Sequence, residues 1–141
     1  MKIVRLSPEH ILAVQLQPAQ AYAHALVDLR NAQDLADAPG VAWSAVDGDE
    51  VIACAGILEL HEARGMAWAM LSDRALRQFK TIHRVVSQVV RAAPWRRIEM
   101  TVDAQHQAAQ EWAERLGFKM EGRMTAYTVD GRDCLLYAKV K

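Results

Sequence analysis

The stretch from Ala109 to Gly122 constrains this chain more than any other. Ala109, Trp112, Ala113 and Leu116 recur at helical spacing and share one apolar face. Gly117 follows where a helix C-cap needs a residue that tolerates positive φ. Phe118 then opens an extended segment. A helix therefore ends on glycine and passes straight into a strand, which calls for helix packed on sheet.

Length and composition narrow the rest. The 141 residues suit one domain, 1–141, with a hydrophobic core. Apolar residues make up 52% and charged residues 24%, an ordinary globular balance. Seventeen basic and seventeen acidic side chains cancel. A bulk attraction to nucleic acid or an anionic membrane is not expected, although Arg91, Arg96 and Arg97 form a local basic group. No apolar run reaches membrane-span length, and the N-terminus lacks the apolar core of a signal peptide. Two cysteines, Cys54 and Cys134, lie in strand-like runs and read as free thiols in a reducing cytoplasm. None of the five histidines stands at metal-ligand spacing with another His or Cys, so no metal site is expected.

Along the chain, Lys2 to Leu6 reads as a strand, and Ser7-Pro8 as the N-cap and first residue of a helix with Ile11, Leu12 and Leu16 inward. Pro18 breaks that helix and starts a second one carrying Tyr22, Ala25, Leu26 and Leu29. Strands follow at Val41–Val46, Glu50–Leu60 and Met66–Leu71, with Asp47-Gly48-Asp49 as the first hairpin turn. Ser72 or Asp73 caps one long helix through Leu76, Phe79, Ile82, Val86 and Val90, which Pro94 ends. Ile98, Met100 and Val102 alternate as a half-buried strand. After the Ala109 helix, 119–129 and 132–140 form a closing hairpin about Asp130-Gly131.

The Leu116-Gly117-Phe118 junction, Glu121-Gly122 and the hairpin through Asp130-Gly131-Arg132-Asp133 to Tyr137 resemble the closing half of the GNAT N-acyltransferase fold. With Arg97-Ile98-Glu99 and Val102-Asp103, the hairpin is also similar to acetyltransferase-like proteins of phages and prophages. The resemblance implies an α+β, GNAT-like fold: a mixed, mostly antiparallel seven-stranded sheet flanked by about four helices, in the order β-α-α-β-β-β-α-β-α-β-β.

In such a fold the fourth and fifth strands splay, and acyl-coenzyme A lies in the opening. Its pantetheine arm pairs with the fourth strand as an added strand would. Its pyrophosphate sits on amides at the start of the next helix. This implies a cofactor-binding set of Met70, Leu71, Ser72, Arg77, Gln78, Lys80 and Thr81, acetyl-CoA as cosubstrate, and an oxyanion donor at the Leu71 amide. The chain departs from the family pattern in three places. Lys80 and Ile82 stand where small residues belong, with Arg74, Arg77 and Lys80 as charged substitutes or simply a solvated helix face. Ala113 stands where many members carry a Tyr acid, and His106 where an Asn is common. Asp103 is the candidate base, or the N-cap of the next helix, and Tyr127 the candidate acid, or an aromatic packed on the sheet. His61, Glu62 and His83 read as turn or boundary residues.

Two functions compete. One is transfer of an acetyl group from acetyl-CoA to a small-molecule or peptide amine held by the first two helices and the last hairpin. The other is a catalytically inactive binding or structural protein of phage origin, with Trp43, Trp68 or Trp95 as partner contacts and the closing hairpin's open edge suited to a homodimer. A nucleic-acid module has only the Arg91, Arg96, Arg97 group in its favour.

Overall fold

A computed structural model describes residues 1–20 and 28–141. Its strands are β1 (Lys2–Arg5), β2 (Gly40–Asp47), β3 (Glu50–His61), β4 (Arg64–Leu71), β5 (Arg97–Asp103), β6 (Lys119–Met124) and β7 (Cys134–Val140). Its helices are α1 (Pro8–Ala13), α2 (Leu29–Asp37), α3 (Asp73–Arg77), α4 (Phe79–Ala92) and α5 (Gln107–Arg115). The seven strands form one mixed sheet in the order β1-β2-β3-β4-β5-β7-β6. The β4–β5 pair is parallel, and the β1–β2, β2–β3, β5–β7 and β6–β7 pairs are antiparallel. The parallel pair demands a crossover, which α3 and α4 supply. No described helix is long and apolar enough to cross a membrane.

Local chemistry explains most element ends. Ser7 and Pro8 open α1 in a capping box whose third helical residue is His10, its Nδ1 accepting from the Ser7 N–H at 3.3 Å. Gly48 turns the β2–β3 hairpin at φ +64, and Gly117 ends α5 at φ +94. There the Phe118 N–H reaches the Ala113 carbonyl and the Gly117 N–H the Glu114 carbonyl, each at 3.0 Å.

By contact density the chain divides into two compact units. The first holds Met1–Glu59 and Trp68–Ala93. Its core gathers Leu6, Ile11, Val14, Ala32 and Cys54, with Leu16, Leu35, Ala42, Trp68 and Met70 packed against them. Ile52 to Ile57 of β3 are all buried, as a strand covered on both faces must be. The second unit holds Leu60–Ala67 and Pro94–Lys141, with Trp95, Ile98, Val102, Ala113, Phe118 and Tyr137 buried.

Two elements differ from expectation, and one expectation falls partly outside the described residues. The helix after β4 is two helices, because the backbone of Gln78 leaves the helical region (φ −112, ψ 28), which brings the about four expected to five among the described residues. The closing hairpin is shorter in both arms, and β7 lies between β5 and β6. Of the second helix expected after Pro18, Tyr22, Ala25 and Leu26 lie outside the described residues, and Leu29 opens α2, capped by Asp28. Trp43 and Trp95 are buried, so of the three expected partner contacts only the half-buried Trp68 keeps any exposed surface.

Candidate active site

The Ser72 N–H and Oγ both donate to the Ile52 carbonyl, at 2.9 and 2.8 Å, so this end of β4 has Ser72 turned toward β3. Strand groups alternate in direction, so Ala69 and Leu71 address the opposite edge. Three of their polar groups are engaged there by one short turn. The Gln17 N–H donates to the Leu71 carbonyl at 2.8 Å. The Gln20 Nε2 donates to the Ala69 carbonyl at 2.9 Å, and the Gln20 Oε1 accepts from the Leu71 N–H at 2.9 Å. Gln17 Nε2 braces the same Oε1 at 3.1 Å. Met70, between the two, packs its side chain against the apolar cluster of α1 and α2. A few residues back, the buried Trp68 Nε1 has no hydrogen-bond partner among the described residues.

Ser72 caps α3, its Oγ accepting from the Ala75 N–H at 3.2 Å. Backbone amides in the following turns are spent internally: Leu76 on the Ser72 carbonyl, and Thr81 and Ile82 on the Gln78 carbonyl. Ile82 is fully buried, so it belongs to the core rather than to a phosphate loop. Arg74 is committed to Asp47 at 2.9 Å and to Glu50, and Gln78 Nε2 donates to Asp47 at 2.7 Å. Arg77, Lys80 and Thr81 are exposed, and among the described residues neither Arg77 nor Lys80 enters an ion pair. Of the three cations expected near this helix start, two keep their charge available.

In the second unit, Asp103 is buried at the end of β5. Its Oδ2 accepts from Arg132 Nε at 2.5 Å and its Oδ1 from the Gln105 N–H at 2.8 Å. It therefore closes a local turn and is not the N-cap of α5, a place taken by His106. Burial pushes the Asp103 carboxyl up, but the Arg132 hydrogen bond, the Gln105 N–H and the Arg132 charge outweigh it, and the net displacement is downward. Burial lowers His106, against a smaller opposing pull from Asp103. Asp103, Gln105, Arg123, Arg132 and Asp133 line a polar cavity of about 320 Å³. Tyr127 lies past the end of β6 in the loop, 53% exposed, rather than on the strand. Ala113 is buried in α5 and offers no acid.

Sequence reasoning missed two sets of residues. Gln17 and Gln20 carry no local signal for an edge contact some fifty positions away. Glu99 is buried between Arg64 (3.1 and 2.7 Å) and Arg97 (2.6 Å), and Arg97 continues to Glu121. The Arg64 hydrogen bond leads in holding Glu99 below the usual carboxylate range. Its alternation with Asp103 along β5 was the available clue.

Comparison with known proteins bears on this geometry. The chain is similar in structure to the ribosomal-protein-alanine N-acetyltransferase from Brucella melitensis, with a TM-score of 0.75, 15% identity and all of both chains covered. It is also similar to an aminoglycoside 6'-acetyltransferase type Ii (TM-score 0.72, 17% identity, 99% of this chain and 97% of that one). A GNAT acetyltransferase from Streptococcus pneumoniae gives 0.66, with 14% identity over 99% and 98%. These identities speak for the fold alone. No curated protein sequence matches the chain. Residues 9–118, which hold β4, its capping turn and the helix start, match the acetyltransferase (GNAT) family, and the chain belongs to that family.

Proposed function

We propose that this protein transfers an acetyl group from acetyl-CoA to an amine, with the Ala69–Leu71 edge of β4 as the donor site. One observation carries the reading: that edge already holds an amide. The Gln20 carboxamide gives an N–H to Ala69 and takes one from Leu71, as an amide of an extended pantetheine arm does when it adds to a strand. Acetyl-CoA, when bound, supplies the acyl thioester. The chain's own groups do the rest. The Leu71 N–H, taken by that amide, holds the arm in place rather than the developing oxyanion. Met70 and Ser72 fix the strand end on either side of it. Arg77 and Lys80, with Gln78 and Thr81 beside them, hold the diphosphate by side chain, since the Leu76, Thr81 and Ile82 amides are spent on the helix itself. Asp103, ionised and paired with Arg132, serves as a fixed negative charge more than as a strong base, and Tyr127 is the exposed hydroxyl able to donate a proton.

The acceptor class is an amine, small or at a peptide terminus. Cys54 and Cys134, both free thiols, suit a reducing cytoplasm. The outer edge of β6, last in the strand order, is where a second copy would add. The competing reading is a GNAT-fold binding protein without turnover, of phage kinship on the hairpin resemblance. It is favoured by the spent amides of Leu76, Thr81 and Ile82. An assay of thiol release from acetyl-CoA against polyamines, aminoglycosides and N-terminal peptides separates the two. Turnover with any amine supports the enzyme; cofactor binding without turnover across the panel supports the binding protein.

A further inference from the structure

We infer that the Gln17–Gln20 turn is a displaceable occupant of the donor edge, with the Gln20 carboxamide standing in for a pantetheine amide until acetyl-CoA takes its place. The inference rests on the acyl-CoA reading above.

The chemistry of the contact is that of a substitute ligand. An extended amide approaching the Ala69–Leu71 edge needs a donor for the Ala69 carbonyl and an acceptor for the Leu71 N–H. Gln20 supplies both from one planar group. Gln17 covers a third group, the Leu71 carbonyl, through its backbone N–H. Three of the four polar groups that Ala69 and Leu71 turn to this edge are therefore satisfied without a ligand.

The turn is also built to leave. It is a single 3₁₀ turn, closed by the Gln20 N–H on the Gln17 carbonyl at 2.9 Å. Gln17 is buried, but Pro18 and Ala19 are exposed and Gln20 is half-buried, so little apolar surface holds down the Pro18–Gln20 part. Val14 is buried, Leu16 packs against the same core and Gln17 is buried, so the chain is anchored up to Gln17 and the swing begins after it. Each hydrogen bond that Gln20 gives up is one the incoming amide remakes, so the exchange is close to neutral in hydrogen bonds. What Gln20 does change is the fraction of molecules with an open edge, and apparent affinity falls in proportion to that fraction.

Calorimetric titration of acetyl-CoA into the full chain tests this, using the wild type, Gln20→Ala and Gln20→Leu. Gln20→Leu keeps bulk without an amide, and thermal melts verify that both variants fold. Both variants are expected to bind roughly three- to ten-fold more tightly than the wild type. Wild-type affinity or weaker in both folded variants overturns the gate while leaving the donor site intact. No binding by any of the three at millimolar acetyl-CoA removes the donor site itself, and the gate with it.

Discussion

Arg132 Nε lies 2.5 Å from Asp103 Oδ2, and this pair ties the loop before β7 to the end of β5. The Asp103 side chain is 3% exposed and that of Arg132 33%, so the pair is largely screened from water on one side. Asp103→Asn is expected to cost about 1–3 kcal/mol, since Arg132 loses its charged partner. The folded-state carboxyl is displaced downward, so its contribution is present above the unfolded carboxylate range and is lost as pH falls through the folded value. Denaturant unfolding of wild type and Asp103→Asn across a pH series should show the largest gap at neutral pH, closing in acid. A gap that widens in acid contradicts the assignment.

Gly117 should resist substitution. At φ +94 any L side chain is strained, and a Cβ there would stand 3.2 Å from Lys139 Nζ, which itself donates to the Leu116 carbonyl at 3.1 Å. Gly117→Ala is expected to lose about 1–2 kcal/mol in chemical denaturation. An unchanged midpoint would mean that the C-cap is not held in this conformation.

Ser72 joins β3 to the start of α3 through one hydroxyl, which donates to Ile52 and accepts from Ala75. Ser72→Ala removes both and leaves the Ala75 N–H buried. The expected loss is about 1–2 kcal/mol by thermal or denaturant unfolding. Ser72→Thr keeps the hydroxyl and should recover most of it.

Trp68 presents the reverse case. Its buried indole N–H has no partner among the described residues, so Trp68→Phe deletes a desolvated donor without breaking any hydrogen bond described there. Stability should stay within about 1 kcal/mol of wild type. A larger loss would show that the indole nitrogen is held in solution by a group beyond the described residues.

What could be read from the sequence was local. Ser7-Pro8, Gly48 and Gly117 mark their element ends through cap and turn chemistry contained in a few residues, and the structure places each as expected. The break at Gln78 was hidden because apolar spacing runs unbroken from Leu76 through Phe79 to Ile82. Its surroundings are tertiary: Gln78 and Arg74 are both bonded to Asp47 on the β2–β3 hairpin. The closing hairpin ran long in the sequence because its apolar residues continue past Met124. In the fold, Asp133 instead accepts from the Ala126 N–H at 2.8 Å and pairs with Arg123, rounding the loop off early. The position of β4, and of Arg74, Arg77 and Lys80 in the helices after it, was legible from element order, whereas the Gln20 cap joins positions that no spacing rule connects.

The Leu71 amide is the group on which the account turns, and an NMR titration that follows it during acetyl-CoA addition tests the account most directly. The account predicts that the Leu71 and Gln20 side-chain amide resonances move together, with saturation, and that Arg77→Ala or Lys80→Ala shifts the saturation to higher acetyl-CoA. Saturable binding that leaves Leu71 and Gln20 unmoved, or no binding at all, would contradict it.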